Sequence, residues 1–525
     1  ENKPIINAAV LGLVFEKING YKDGSYYTPG AITMFLCRET IRKVVIKKFN
    51  DTYNWQCESI EDVRNFIVDK RNSKDILQFN RIIEAVKIVD PAVGSGHFLV
   101  SSLNEIILIK AELGILADAA GNRLVNLDVS ISNDELIVAN GRTNNFFEYN
   151  VKESNSSGYH IISTDTQNIQ ETFFNEKRKI IEGCLFGVDI NPNSVKICQL
   201  RLWIELLKHA YYKRESNFSE LETLPNIDIN IKCGNSLLYK FALAEDLSDV
   251  FRKQKFGVKD YQTAVMAYKE APDKESKKEL LLFLKTIKEQ FKQTVFQRDP
   301  KRKRLSEFRG QLLLAQNNTD LFGQKKNRDE LNANVEKLGK NISKIESEIA
   351  LIEDDAKYRY AFEWRFEFPE VMNDKGDFDG FDAIIGNPPY IQLQKMGAGA
   401  DVLETANYKT FARTGDVYCL FYELAIRLLK QGYFFGFITS NKWMRANYGE
   451  STRKFFIENT NPQLLIDFGG YQVFDSATVD TNIMISQKAN YEGKTKTCLI
   501  DKSLGSLEKM SDFIRHYKTP PQKFS

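Results

Sequence analysis

The sequence predicts an α/β fold, and three observations predict it. Ile88-Val89-Asp90 is an apolar strand that runs through a tight loop, Pro91-Ala92-Val93-Gly94-Ser95-Gly96, into an amphipathic helix. Leu185-Phe186-Gly187-Val188-Asp189-Ile190 repeats the pattern, an apolar strand ending in an acid before Asn191-Pro192-Asn193 opens a helix. Phe381 to Ile385 is another buried run, stopped by Gly386 and two prolines, because proline cannot donate to a ladder and fixes its own φ.

In chain order, residues 1–80 read as a helical region, from about Ile5 to Leu77, carrying Gly24-Ser25-Tyr26-Tyr27-Thr28-Pro29 near its start. Residues 81–240 form one half of the core. Glycines in the loop after Asp90 let main chain approach a ligand closely, at the carboxyl end of a strand where open α/β sheets bind cofactors. The spacing lacks the full dinucleotide fingerprint and no G-x-x-x-x-G-K-[ST] occurs, so a nucleotide-phosphate cradle is the poorer reading. Residues 113 to 175, rich in Asn, Ser and Thr, form a poorly patterned excursion with room for short strands. The acid Asp189 suits hydrogen bonds to ribose hydroxyls. A third strand, Ile227 to Lys232, ends at Cys233-Gly234-Asn235 and places one more polar side chain at the same edge.

Residues 241–375 read as a helical insertion. Leu331, Val335, Leu338, Ile342, Ile345, Ile349 and Ile352 alternate spacings of four and three, a coiled-coil seam whose expected partner is Leu280 to Phe296, folded back around the basic turn Arg298 to Arg304. Such a hairpin suits DNA, a partner domain or an inert spacer equally. Residues 376–490 form the second half of the core. Asp416 to Leu429 is expected as a helix, Gly432 to Thr439 as a strand leading into Ser440-Asn441-Lys442-Trp443, with further strands at Leu464 to Phe468 and near Asn482 to Ser486. Residues 491–525 read as a linker, too short for a further recognition domain.

The run Gly386-Asn387-Pro388-Pro389-Tyr390 carries the chemistry. An exocyclic amine on a nucleobase is a poor nucleophile, because its lone pair is delocalised into the ring. The Asn387 side-chain oxygen and the Pro388 carbonyl supply two acceptors for its N–H groups, which favours a pyramidal nitrogen and stabilises the developing positive charge. Tyr390 would stack on the base. An ordinary strand-ending Asn-Pro-Pro turn would use the same residues.

In the order of these motifs the chain resembles the gamma class of amino-methyltransferases acting on adenine N6 in DNA. Within that class it is similar to the catalytic part of single-chain type IIG restriction-modification enzymes and related phage-exclusion methyltransferases, over roughly residues 10 to 490. The resemblance implies a Rossmann-like class I sheet that uses S-adenosyl-L-methionine. It implies that Thr28 touches the methionine carboxylate, that Asp90, Ala92, Gly94, Ser95 and Gly96 hold the amino-acid end, and that Asp189 binds the ribose. Ile190 should pack on the cofactor adenine, with Asn235 at the position that bonds its amino group, where the family more often has Asp. Asn387, Pro388 and Tyr390 are then the catalytic residues. Phe474, in Gly469 to Val479, is the second aromatic face for an adenine flipped out of double-stranded DNA. A target-recognition domain is expected outside this chain, and no convincing nuclease constellation is present.

Composition excludes other chemistries. The seven cysteines are scattered without C-x-x-C, and the four histidines lack metal-ligand spacing, so neither a disulfide frame nor a metal site is indicated. No Pro-Cys pair offers the thiol nucleophile of cytosine C5 transfer. His97 reads as a neighbour of the cofactor rather than a base. A 525-residue chain with 42% hydrophobic content and no membrane-length apolar run reads as a large cytoplasmic enzyme, and its start at Glu1 as a fragment without a signal peptide. With a net charge of +2, a DNA-binding surface must be local. Protein glutamine methylation, RNA adenine methylation and a non-catalytic DNA-binding scaffold remain alternative functions.

Overall fold

The structure is a computed structural model, which describes residues 27–70, 72–153, 160–239, 242–243, 256–271, 273–297, 300–316, 328–353, 361–474, 479–500 and 504–516. The chain divides into two compact units, one made of residues 1–237 and 379–525 and the other of 238–378. The start of the Thr28 segment, Gly24 to Tyr26, lies outside the described residues.

The larger unit opens with helices α1 (Gly30–Tyr53), α2 (Ile60–Ile67) and α3 (Ser73–Glu84). There follow β1 (Ile88–Asp90), α4 (His97–Glu112), the hairpin β2 (Leu127–Ser132) and β3 (Glu135–Asn140), α5 (Thr164–Gly183), β4 (Leu185–Asp189), α6 (Pro192–Leu207) and β5 (Ile231–Cys233). The third strand of this half is therefore shorter than expected and begins only at Ile231. The excursion at 113–175 resolves into the β2–β3 ladder and the first turns of α5, whose cap is Ser163 accepting from Thr166 N.

The smaller unit contains α7 (Val258–Glu270), α8 (Lys274–Gln297), α9 (Pro300–Gln316) and α10 (Arg328–Glu353). Leu338 and Ile342 of the predicted seam are buried on α10. Their neighbour differs from the one expected: α10 packs against α9, with Arg309 and Glu346 paired at 2.7 Å, while α8 packs on α7. Arg298 and Asp299 lie outside the described residues. Lys301 to Arg304 form the first turn of α9 rather than a turn between helices, since Pro300 fits the first helical position and Lys and Arg are good helix formers.

The larger unit then continues with β6 (Phe381–Gly386), α11 (Tyr418–Leu428), β7 (Leu429–Ser440), α12 (Glu450–Asn459), β8 (Asn461–Asp467), β9 (Thr481–Gln487) and β10 (Lys496–Leu499). One eight-stranded sheet runs β10-β8-β9-β7-β6-β1-β4-β5. All its pairings are parallel except those of β9, which is antiparallel to both β7 and β8. This is a Rossmann-like, parallel-dominated α/β sheet. β10 belongs to it, so residues 491–500 are not linker: Cys498 is buried opposite Ile466.

Every residue of β6 is buried, as a parallel strand covered on both faces requires. The polar exception, Asp382, is fully buried at the amino end, where Lys87 N donates to it at 2.7 Å and Lys48 pairs with it at 2.9 Å. Helix α4 departs from the amphipathic reading, because it is buried on nearly every side between α1 and α5. Its charged residues find partners on those neighbours instead. Glu105 meets Arg42 of α1 at 2.6 Å, and the fully buried Lys110 pairs with Glu176 of α5 and, at 3.0 Å, with Glu84 of α3. Removing one partner of such a buried pair strands the other, so Lys110→Ala is expected to cost about 3 kcal/mol or more, read as a fall in the urea midpoint. A loss below about 1 kcal/mol would mean that water reaches the pair.

Candidate functional site

Four parallel strands, β6, β1, β4 and β5, end side by side, and their carboxyl ends bring the predicted residues to one edge. β1 delivers Asp90, which is 1% exposed and accepts from Ala92 N at 3.0 Å, so the chain turns at once. Gly94 and Gly96 then adopt φ of +51° and +82°, which side chains rarely tolerate. A Cβ on Gly96 would also lie 2.5 Å from Cys198 Sγ of α6. Ser95 between them is buried, and Arg201 of α6, itself 1% exposed, donates to its hydroxyl at 3.0 Å and its carbonyl at 3.3 Å.

β4 ends at Asp189, whose carboxylate accepts from Gly94 N at 2.9 Å and Asn191 N at 2.7 Å. The acid therefore sits against the glycine loop. Ile190 follows and is 57% exposed, a large apolar side chain presented at the strand end. β5 leads to Asn235, whose side-chain oxygen accepts from Leu237 N at 3.1 Å, and Ser236 donates to Pro91 O at 2.5 Å. The turn after β5 is thereby latched to the turn after β1. Two bare glycines, an acid at the next strand end and an exposed isoleucine beside it form a cradle of main chain, acceptor and apolar face. That donor set fits an adenosine-type cofactor.

β6 carries the second loop. A Cβ on Gly386 would lie 2.6 Å from Asp90 Oδ1, so only glycine allows β6 to end this close to the cofactor loop. Asn387 follows and donates through Nδ2 to Thr28 Oγ1 at 3.1 Å. Thr28, just before α1, is buried, and it joins the amino-terminal segment to the Asn-Pro-Pro turn across 359 residues of sequence. Pro388 is buried. Tyr390 donates its hydroxyl to Ile438 O at 3.3 Å.

The structure brings Phe474 to Tyr390, but edge to face: the ring centroids are 6.2 Å apart at 66°. A planar base between two aromatic faces needs parallel rings about 7 Å apart, two contact distances of roughly 3.5 Å. Phe474 is 1% exposed, so stacking on both faces requires it to turn. Burial raises the thiol of Cys198 far above the ordinary range, and Cys233, at the end of β5, is also raised by partial burial. Neither is primed as a nucleophile. Among the described residues no cluster of His, Cys, Asp and Glu could hold a metal ion, and no helix is long and apolar enough to cross a membrane.

Arg201, Cys198 and Ser236 were not singled out from the sequence. Their roles depend on how α6 and the β5 turn pack on the glycine loop, and no local motif announces that.

The model of the Eco57I restriction-modification methylase family matches residues 183–474, more than half of the chain. The chain belongs to that family. The DNA-methyltransferase domain model of MmeI matches residues 67–255, which takes in the glycine loop. A protein of Methanocaldococcus jannaschii, provisionally named a type II restriction enzyme and methyltransferase, is 24% identical over 92% of this chain and 38% of its own length. The Escherichia coli type II restriction enzyme and methyltransferase RM.Eco57I is 34% identical over 21% of this chain and 12% of its own. This chain thus spans well under half of these relatives. Type IIL restriction-modification enzyme MmeI in complex with DNA aligns with a TM-score of 0.41 and 13% identity, over 94% of this chain and 42% of that one, too low to carry weight.

The packing of Gly386 on Asp90 has a direct test. Gly386→Ala is expected to destabilise the chain by about 1 to 3 kcal/mol through overpacking, seen in the denaturation midpoint. Gly470→Ala, whose Cβ would meet nothing within 4 Å, is the matched control and should be nearly neutral.

Proposed function

We propose that this chain is the catalytic part of a site-specific DNA methyltransferase that transfers a methyl group from S-adenosyl-L-methionine to adenine N6. It would act within a restriction-modification or phage-defence enzyme. The observation that carries the reading is the placement of Asn387, Pro388 and Tyr390 at the end of β6, directly beside the Asp90 to Gly96 loop at the end of β1. An acceptor loop for an amine next to a cofactor loop is what direct methyl transfer to nitrogen needs.

Asp189 would accept from the cofactor ribose, Ile190 would cover its adenine with Asn235 beside that ring, and Thr28 with the loop Asp90 to Gly96 would hold its methionine end. Bound there, S-adenosyl-L-methionine supplies an electrophilic sulfonium methyl. The residues of this chain do the rest by positioning and electrostatics. The adenine is turned out of the duplex and stacked on Tyr390. Its two N6 hydrogens are donated to Asn387 Oδ1 and Pro388 O, which draws the nitrogen lone pair out of conjugation and towards the methyl. The nitrogen becomes acidic as it is alkylated and releases one proton to solvent, so the scheme uses no strong base and no covalent enzyme intermediate. Base-specific reading is assigned to a target-recognition module outside residues 1–525.

Nucleoside mass spectrometry of duplex DNA incubated with the longer enzyme and labelled S-adenosyl-L-methionine tests the reaction. N6-methyladenine is the expected product, and Asn387→Ala should lower the rate about 100- to 1000-fold. Cofactor bound without adenine modification would refute the reading, and label on RNA or on a protein glutamine would replace it. Calorimetry divides the roles: Asp189→Ala should weaken cofactor binding about 10- to 100-fold, whereas Asn387→Ala should leave it nearly unchanged.

A further inference from the structure

We propose that the β2–β3 hairpin positions the catalytic amide, with Asp134 at its tip acting on Asn387 through His97 and the Tyr27-Thr28 segment. The role assigned to Asn387 rests on the function proposed above; the mechanical link does not.

The hairpin turns through Asn133 and Asp134, both in the left-handed region at φ of +50° and +65°, which suits a tight two-residue connection. Much of the ladder is exposed, yet Asp134 at the tip is only 6% exposed. Three polar residues one turn apart on α4 are committed to it. His97 Nε2 lies 2.6 Å from Asp134 Oδ2, Ser101 Oγ donates to Oδ1 at 2.6 Å, and Asn104 Nδ2 donates to the main-chain oxygen at 3.0 Å. Positions 97, 101 and 104 share one face of a helix that is buried along most of its length. All three are buried. Burying this many polar groups costs stability unless they are fixed against one another, so the tip is anchored rather than merely adjacent.

From that anchor the contacts run straight to the catalytic turn. Tyr27 stacks on the His97 ring with centroids 5.1 Å apart and planes at 23°. Thr33 Oγ1, on the first turn of α1, lies 3.0 Å from Ser101 Oγ and 3.5 Å from His97 Nε2. Thr28 follows Tyr27 in the chain and receives Asn387 Nδ2. The orientation of that amide matters. With its nitrogen edge on Thr28, the amide turns its oxygen edge away from that hydroxyl, the orientation the proposed function requires, whereas a reversed amide would set N–H against N–H. A hairpin inserted between two helices of the cofactor half is thus joined, through a stacked ring and one hydroxyl, to a residue nearly 250 positions further on.

The test is hydrogen–deuterium exchange of this chain and of its Asp134→Ala and Asp134→Asn variants. Asp134→Ala should raise exchange about tenfold in peptides covering residues 27–33 and 386–392, with Asp134→Asn, which keeps an acceptor for Ser101, close to the parent. A rise confined to residues 127–140 would overturn the proposal. Per folded enzyme, Asp134→Ala should lower kcat about tenfold and be non-additive with Thr28→Val. Additive losses, or a lower melting temperature at unchanged kcat, would show a structural role only. Should Asp134→Ala not fold, Asp134→Asn and His97→Gln carry the same exchange comparison. A longer enzyme that binds S-adenosyl-L-methionine yet methylates no adenine would fail the proposed function, while the exchange pattern would still decide this one.

Discussion

The candidate site depends on how closely β1 and β6 end beside one another. Gly386 leaves no Cβ between the strands, and the Asp90 carboxylate fills the space that a side chain would need. With that contact in place, the glycine loop after β1 and the Asn-Pro-Pro loop after β6 become neighbours, as the proposed methyl transfer to an amine requires. The remaining strand ends reinforce the first loop from its far side. Asp189 accepts from Gly94, and Ser236 donates to Pro91, so the glycine loop is fixed by its own neighbours in the sheet. Preorganisation of this kind is worth most in reactions that need no strong acid or base, because orientation and fixed dipoles then supply most of the rate.

Rigidity at this edge is underwritten by helices that break the usual rule for surface elements. α4 starts directly after its cap Gly96, in the glycine loop, and is buried almost throughout, with its charged side chains paired to α1, α3 and α5. Movement of this helix would disturb those pairs, so the loop at its start inherits their stiffness. Arg201 acts in the same sense from α6, gripping Ser95 between the two glycines. The aromatic side of the site is different. Tyr390 is held by Ile438 and Tyr418, but Phe474 meets it edge on, so that wall must rearrange before a base can lie between the two rings.

The motifs at strand ends were legible because each combines an apolar run with a residue that must stop it. Asp90, Asp189, Asn235 and Asn387 all fall at the edge where the sequence placed them, since a parallel strand fixes the position of its last residue. What could not be read depended on packing between distant segments. The amphipathic reading of α4 failed because tertiary partners absorb its polar residues, and the helical pairing of the insertion failed because Lys301 to Arg304 prefer a helix to a turn. Asp134 carried no local signal at all. It lies in a polar, weakly patterned stretch, and its partners His97, Ser101 and Asn104 look unremarkable until α4 is seen to be buried. β10 was missed for a similar reason: a short edge strand with exposed ends looks like linker.

In the proposed mechanism, one planar amide and one proline carbonyl grip the amine beside the glycine loop. A crystal structure with a bisubstrate compound, adenosine joined through N6 to the methyl-donor side of an S-adenosyl-L-methionine analogue, tests it most directly. The expected complex has N6 about 3 Å from both Asn387 Oδ1 and Pro388 O, the adenine face on Tyr390 and the analogue's ribose on Asp189. An N6 directed away from Asn387, or a ribose bound away from Asp189, would contradict it.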